Sequence, residues 1–143
     1  MSATPPSATP LPRAGIDPID DEATALAMVR LAAARPARHE TIVVLLDHCR
    51  CGIGLVVVNG TCEPGAVLEV AECLLTPEAH DGRIGAVIVA SCRPGGELDL
   101  ADADRWLELD DLARRHDVEL LEWFVEGAGL SRPRELVNAP PRW

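Results

Sequence analysis

The sequence predicts an α/β fold in which a mixed β-sheet is flanked by helices, in the chain order α-β-β-α-β-α-β. Short runs of β-branched apolar residues, typical of strands that are buried on both faces, recur along the chain. The stretches between them carry apolar residues at the spacing of an amphipathic helix. Two strands follow each other across a short turn and two others are separated by a whole helix, so the sheet combines antiparallel and parallel neighbours.

The first helix is predicted from Asp20 to about Ala34, because acidic residues begin it and Pro36 follows its end. Two strands come next, at Thr41–Asp47 and Ile53–Asn59. The turn that joins them is too short for a crossover connection, so we expect these strands to be antiparallel neighbours.

The second half alternates helices with strands. The predicted elements are a helix at Pro64–Leu75, a strand at Ile84–Ala90, a helix at Asp102–His116, a strand at Val118–Val125 and a short final element at Leu130–Val137. The last helix connects two strands, and we expect a right-handed crossover between parallel neighbours. The predicted order gives an α/β sandwich of two or three layers.

A single domain is predicted over residues 19–137, which fits a chain of 143 residues of which 48% are hydrophobic. Residues 1–18 are rich in Pro, Ser, Thr and Ala without any period, which is typical of a disordered arm. Residues 138–143 form a C-terminal tail. The terminal Trp143 is expected to fold back onto the domain because an exposed Trp is costly, the alternative being a short recognition tail.

The charge of the chain excludes two classes of partner. The formal net charge is −10, and all thirteen basic residues are Arg. Nucleic acids and anionic membranes attract basic surfaces, so neither is expected as a partner. Residues 97–126 contain eleven acids and three Arg, which is typical of a solvated surface or, alternatively, of a docking surface for a basic partner.

The cysteines and the apolar runs indicate the compartment. The sequence shows no secretory leader and no apolar run long enough to cross a membrane, so a cytoplasmic protein is expected. The five cysteines contain no CxxC pair and are expected to be free thiols. A metal site at His48, Cys49 and Cys51 would need further ligands that the spacing does not supply.

The loop predicted at Ser91–Ala101 is the first candidate for a functional site, because ligands of open α/β sheets bind where a strand leads into a helix N-terminus. Cys92 precedes a helix and is followed by Arg93, and both features lower the pKa of a thiol. A cysteine nucleophile also needs a base within reach, which the sequence does not identify. Alternatively, Arg93 and the backbone N–H groups of Gly95 and Gly96 bind a small anion, although nearby acids oppose it.

This loop resembles the metal motif of JAB/MPN metalloprotease-like domains, specifically of the RadC-like bacterial branch, in which it reads His-x-His-Pro-Ser-Gly-Asp-Pro-x-x-Ser-x-x-Asp. The residues that match the motif are Pro94, Gly96, Glu97 and Asp104. The resemblance extends over about residues 38–136 and implies a three-layer sandwich. It also implies a site in which two His and the Asp hold zinc and a Glu acts as general base.

The departures from the motif imply that the zinc site is lost. Ser91 and Arg93 stand at the two His positions, and an Arg offers no lone pair to a metal. The strand that the resemblance assigns to the Glu, Ile53–Asn59, contains no acid. We therefore expect no bound metal, no cofactor and no catalytic residue. The degenerate metal-loop positions are Ser91, Arg93, Gly95, Gly96 and Asp104.

The function expected from the resemblance is a non-catalytic protein-interaction or scaffold domain that binds a protein partner or forms a homodimer. Two alternatives stay open. One is an enzyme, either a residual hydrolase or a thiol enzyme that uses Cys92. The other is small-anion binding at the loop that contains Arg93, Gly95 and Gly96.

Overall fold

The computed structural model describes residues 10–143, which form a five-stranded mixed sheet with helices on both faces. The first elements in chain order are α1 (Glu22–Ala32), β1 (Glu40–Leu46), β2 (Gly52–Asn59) and α2 (Ala66–Leu75). They are followed by α3 (Pro77–His80), β3 (Ala86–Cys92), α4 (Asp102–Arg115), β4 (Glu119–Glu126) and β5 (Leu130–Ser131). A 3-10 helix at Pro133–Val137 precedes the tail.

The strands lie side by side in the order β2-β1-β3-β4-β5. β1 is antiparallel to both β2 and β3, whereas β3 is parallel to β4 and β4 is antiparallel to β5. The predicted mixed sheet is therefore confirmed, together with the antiparallel hairpin of the first two strands and the parallel pair that α4 connects.

The two central strands have no face turned to water. All seven residues of β3 and six of the seven residues of β1 are buried. On one face of the sheet Val29 of α1 shares a hydrophobic cluster with Ile42 and Ile88. On the other face Leu109 of α4 shares a cluster with Val43, and α2 contributes to it as well. The architecture is consequently helix, sheet, helix in three layers.

The core extends through β4 on both faces. Trp123 and Phe124 are fully buried, and they belong to opposite clusters because adjacent residues of a strand project to opposite faces. Trp123 packs on the side of α2 and α4, and Phe124 packs on the side of α1.

Most element boundaries lie within two residues of the prediction, and one of the shifts affects the candidate site. β3 runs to Cys92 rather than ending at Ala90. The extension has a partner, because β1 begins at Glu40 and this residue pairs with Cys92 at the end of the ladder. Ser91 and Cys92 therefore belong to a strand and not to the loop predicted at 91–101.

The end of the N-terminal arm differs from its prediction. The backbone N–H of Gly15 donates to the carbonyl of Gly52, and that of Ile19 donates to the carbonyl of Arg50. Pro18 forms an isolated bridge with Cys51. Residues 13–18 thus lie against the β1–β2 turn instead of being disordered, while the part of the arm at 1–9 lies outside the described residues.

The C-terminal tail folds back onto the domain. The Arg142 guanidinium donates to both carboxylate oxygens of Asp110, at 2.6 and 3.2 Å, and to the carbonyl of Leu120 at 2.8 Å. It also lies 5.2 Å from the ring centroid of Trp106. Trp143 packs against the cluster on the α1 face. The tail therefore follows the end of the sheet from one helical layer to the other.

Candidate functional site

The connection from β3 to α4 is fixed to the turn that follows β4. The N–H of Arg93 donates to the carbonyl of Glu126 at 2.7 Å, and the N–H of Ala128 donates to the carbonyl of Gly96 at 2.9 Å. Gly127 lies so close that a Cβ there would collide with the Gly96 carbonyl oxygen. The loop is therefore held by backbone contacts on one side, and only a glycine fits at position 127.

A buried ion-pair cluster occupies the other side of the loop. Asp102, the first residue of α4, is fully buried and accepts two hydrogen bonds from Arg93, at 2.6 and 2.9 Å. It accepts a third from Arg105 at 2.9 Å and a fourth from the N–H of Asp99 at 2.8 Å. We call Arg93, Asp102 and Arg105 the loop ion cluster.

The contacts of Asp102 keep its carboxylate ionised. Burial by itself raises the pKa of Asp102, but hydrogen bonds from Arg93, the Asp99 N–H and Arg105 outweigh it and hold the pKa below the ordinary value. The position at the start of α4 adds to this effect, because helix N-termini stabilise negative charge. Both terminal nitrogens of the Arg93 guanidinium are consequently engaged by the Asp102 carboxylate.

The structure brings only some of the predicted loop residues together. Ser91 is buried and its hydroxyl accepts a hydrogen bond from the Trp123 indole N–H at 3.0 Å. Gly95 adopts a positive φ of 67° in the turn, and Gly96 contacts the β4–β5 turn. Asp104 is exposed and takes part in none of the loop contacts, so the acid that faces the loop is Asp102 and not the predicted Asp104.

Cys92 belongs to the hydrophobic cluster on the α1 face of the sheet, whereas Asp102 and Arg105 of the loop ion cluster belong to α4. It lines a cleft of about 280 Å³ between the end of α1 and the ends of β1, β3 and β4. Glu40, its cross-strand neighbour, is only 1% exposed. The Glu40 carboxylate accepts a hydrogen bond from the Ala34 N–H at 2.7 Å and pairs with Arg38 at 3.4 Å. The same cleft contains Arg30, whose side chain pairs with Glu126 at 2.8 Å.

The environment of Cys92 does not favour the alternative of an activated thiol. Burial raises the pKa of Cys92 to about 11, and the negative charges of Glu40 and Glu126 add to the shift. Arg93 does not lower this pKa, because its guanidinium pairs with Asp102. No histidine lines the cleft in the part of the chain that the structure describes.

Two buried acids near the loop are missed by the sequence reasoning. Glu40 stands directly before an apolar run, where a polar residue signals the start of a strand. β2 contains no acid, as its sequence shows, and the buried acid of this neighbourhood is Glu40 on β1. Asp102 is indistinguishable from Asp104 by residue type, although helical periodicity would have shown that the two project to different sides.

Comparison with known proteins gives no family for this chain. No protein-family model matches it, and no curated protein matches it either. Within residues 10–143, no three His, Cys, Asp or Glu side chains converge in a way that would hold a metal ion. In the same residues, no helix combines the length and the apolar character needed to cross a membrane.

The loop ion cluster predicts a pH-dependent contribution to stability. We expect Asp102→Asn to lower the free energy of unfolding by about 3 kcal/mol at pH 7, because it leaves Arg93 partly buried without a counter-charge. The lowered pKa of Asp102 means that this stability is present above the ordinary carboxyl pKa and is lost as pH falls below it. Urea unfolding at pH 7 and pH 3 measures the difference between the two proteins, which should shrink at pH 3.

Asp104→Asn is the matched control, since it removes an acid from the same turn of α4 at an exposed position. It should change the free energy of unfolding by less than about 0.5 kcal/mol at either pH. Equal effects of the two substitutions would contradict the assignment of Asp102 as the buried acid.

The thiol environment predicts a low reactivity of Cys92. A pKa of about 11, against an ordinary value of 9.0, reduces the thiolate fraction at neutral pH about a hundredfold. Iodoacetamide at pH 7.5 should therefore label the three exposed cysteines, Cys49, Cys62 and Cys73, at least a hundredfold faster than Cys92, as followed by peptide mass spectrometry. Preferential labelling of Cys92 in the folded protein would instead support the thiol-enzyme alternative.

Proposed function

We propose that this chain is a non-catalytic protein-interaction or scaffold domain with a JAB/MPN-like fold from which the zinc site has been lost. The observation that carries the proposal is the loop ion cluster. In the loop that resembles the metal motif, the buried Asp102 is surrounded by two guanidinium groups and a backbone N–H, whereas Asp104, which matches the Asp of the motif, is exposed.

The cluster replaces the electrostatic role of a cation. A zinc site needs several lone-pair donors around one Zn²⁺ ion, whereas here one carboxylate is paired with two guanidinium groups. Arg93 cannot coordinate a metal, and Ser91 is engaged by Trp123. A hydrolytic centre needs an open coordination position for water, and these contacts supply neither ligands nor that position.

An interaction role is favoured by the surface. Several large apolar side chains are exposed near β2, among them Ile53 at 46% and Leu55 at 44%. Exposed apolar groups that lie side by side are typical of protein interaction sites. The proposed partner is therefore another protein or a second copy of the chain, in the cytoplasm, without a cofactor and without nucleic acid or membrane.

The alternatives receive less support from the geometry. A thiol enzyme at Cys92 would need a lowered pKa, and the carboxylates of Glu40 and Glu126 raise that pKa instead. Anion binding at Arg93, Gly95 and Gly96 would require Arg93 to leave Asp102, which would expose a buried carboxylate to the incoming anion. A residual hydrolase would need metal ligands that the loop does not supply.

Restoring the two histidines tests the JAB/MPN-like part of the proposal. Ser91 and Arg93 are alternate residues, so Ser91→His/Arg93→His places two imidazoles toward the first turn of α4. We expect this variant to bind about one zinc per chain, measured by metal analysis after dialysis, and the wild-type protein to bind none. Asp102 is the acid that faces the loop, so adding Asp102→Asn should abolish the binding, whereas loss of binding with Asp104→Asn would support the register in which Asp104 matches the Asp of the motif. A folded double-histidine variant without zinc, or stoichiometric zinc in the wild type, contradicts the proposal.

The interaction role is tested by affinity capture with the tagged full chain. We expect a protein to be retained in near-stoichiometric amount, and we expect a chelator in every buffer to leave the amount unchanged, because no metal takes part. The same preparation is also assayed for peptidase activity, which the scaffold proposal expects to be absent. Hydrolysis that a chelator abolishes would replace the scaffold proposal by the residual-hydrolase alternative.

A further inference from the structure

Most of the outer edge of β2 is a row of backbone groups without a strand partner among residues 10–143. β2 is the first strand of the sheet order, and β1 is its one strand neighbour in that part of the chain. The N–H of Gly60 donates to the carbonyl of His39, and the N–H of Asp47 donates to the carbonyl of Cys51. Odd-numbered residues of β1 therefore bond to β2. The even-numbered ones bond to β3, as the acceptor carbonyl of Leu46 for Gly85 also shows.

This alternation identifies the free groups on β2. Leu55, Val57 and Asn59 stand opposite even-numbered residues of β1, so their N–H and C=O groups point away from the sheet. Within residues 10–143, no backbone hydrogen bond joins these three residues to another segment. Residues 10–19, which we call the N-terminal segment, cover the start of the edge, where Gly15 bonds to Gly52.

An apolar surface borders the free edge on the α1 face. A groove of about 240 Å³ lies between Met28 of α1, the N-terminal segment and β2. Leu55 and Ile53 form its wall on β2 and are nearly half exposed. Main-chain hydrogen bonds and apolar contacts are thus available together along one strand, which is the combination that strand addition uses.

The two edges of the sheet are protected very differently. At the opposite edge β5 has two residues and continues into the 3-10 helix, and very short edge strands resist pairing with other chains. β2 has eight residues and carries neither a charged side chain nor a proline, the features that usually protect an edge.

The charge distribution indicates which partner fits the β2 edge. Residues 97–126 carry a formal charge of −8 out of −10 and lie in α4, β4 and the loop before them. β2 is separated from β4 by β1 and β3, a distance of about 14 Å. Two copies of this acidic chain repel each other when their acidic segments come close. Pairing at the uncharged β2 edge keeps these segments apart and so avoids the repulsion.

We propose that two copies of the chain associate through antiparallel pairing of β2 with β2 of the second copy, which gives one continuous ten-stranded sheet. This inference rests on the interaction role proposed above and names its partner and surface. In such a dimer the two β4 strands are seven strand spacings apart, about 34 Å, which exceeds the Debye length of about 8 Å. The twofold axis makes the contact self-complementary, so the same strand supplies both sides.

Sedimentation equilibrium of the full chain over a concentration series tests this assignment. We expect the wild type to reach twice the 15.3 kDa of the single chain. Leu55→Glu places a charge on the pairing strand of each copy and should weaken dimerisation at least about tenfold. Leu107→Glu is the matched control, because it adds the same charge at an exposed leucine of α4 and should leave dimerisation unchanged.

A second variant separates the backbone contribution from the side chain. Leu55→Pro removes one outward N–H and no hydrogen bond to β1, so it should weaken the dimer while circular dichroism shows an intact fold. A wild type that is monomeric at 100 μM, or a dimer that tolerates both changes at Leu55, overturns the β2 assignment.

The outcomes also separate this inference from the proposed function. A monomer that retains a different protein in the capture experiment keeps the interaction role and removes the homodimer. A monomer that retains nothing and hydrolyses peptides removes both. A dimer that the Leu55 variants do not affect keeps an interaction role but places it on another surface.

Discussion

β1 and β3 are covered by helices on both faces, and this constraint determines where polar chemistry can lie. A polar group in the middle of either strand would be buried without a partner, which is costly. Polar residues accordingly gather where the β1–β3 ladder ends. There Ser91 is bound to Trp123, Glu40 accepts a backbone N–H, and Arg93 meets Asp102 just beyond the strand. The polar residues of the candidate site therefore lie where the packing of the central strands ends. Their charges and polar atoms are paired with other groups of the same chain.

The distribution of charge follows the same division of the molecule. Some acids of α4 and β4, such as Asp102 and Asp110, form ion pairs within the chain, while others of the same segment face solvent. The hairpin side of the sheet has no such charge on β2 and exposes apolar side chains instead. One half of the domain is consequently suited to stay in solvent and the other half to be covered.

The sequence allows the strands and most helices to be predicted, because a continuous β-branched run such as that of Ile84–Ala90 has few alternatives to a buried strand. It does not determine where a strand ends, since Cys92 stays in β3 only because Glu40 pairs with it from β1. The short elements α3 and β5 carry too few residues for a detectable period. Neither the cleft beside Cys92 nor the pairing of Arg93 with Asp102 can be predicted from a local pattern. Both depend on how segments distant in sequence pack together and on the rotation of α4 about its axis.

β1 pairs with one strand that is close in sequence and with another that is distant in sequence, and this difference affects how the domain folds. Its pairing with β2 closes only the turn at residues 47–51, whereas its pairing with β3 joins Leu46 to Ala86 across the whole of α2 and α3. Loop-closure entropy grows with the length of the loop, so the hairpin is the cheaper nucleus. β1 would then act as the template on which the second half of the chain registers. Slow steps in folding should accordingly report on the β1–β3 ladder rather than on the hairpin.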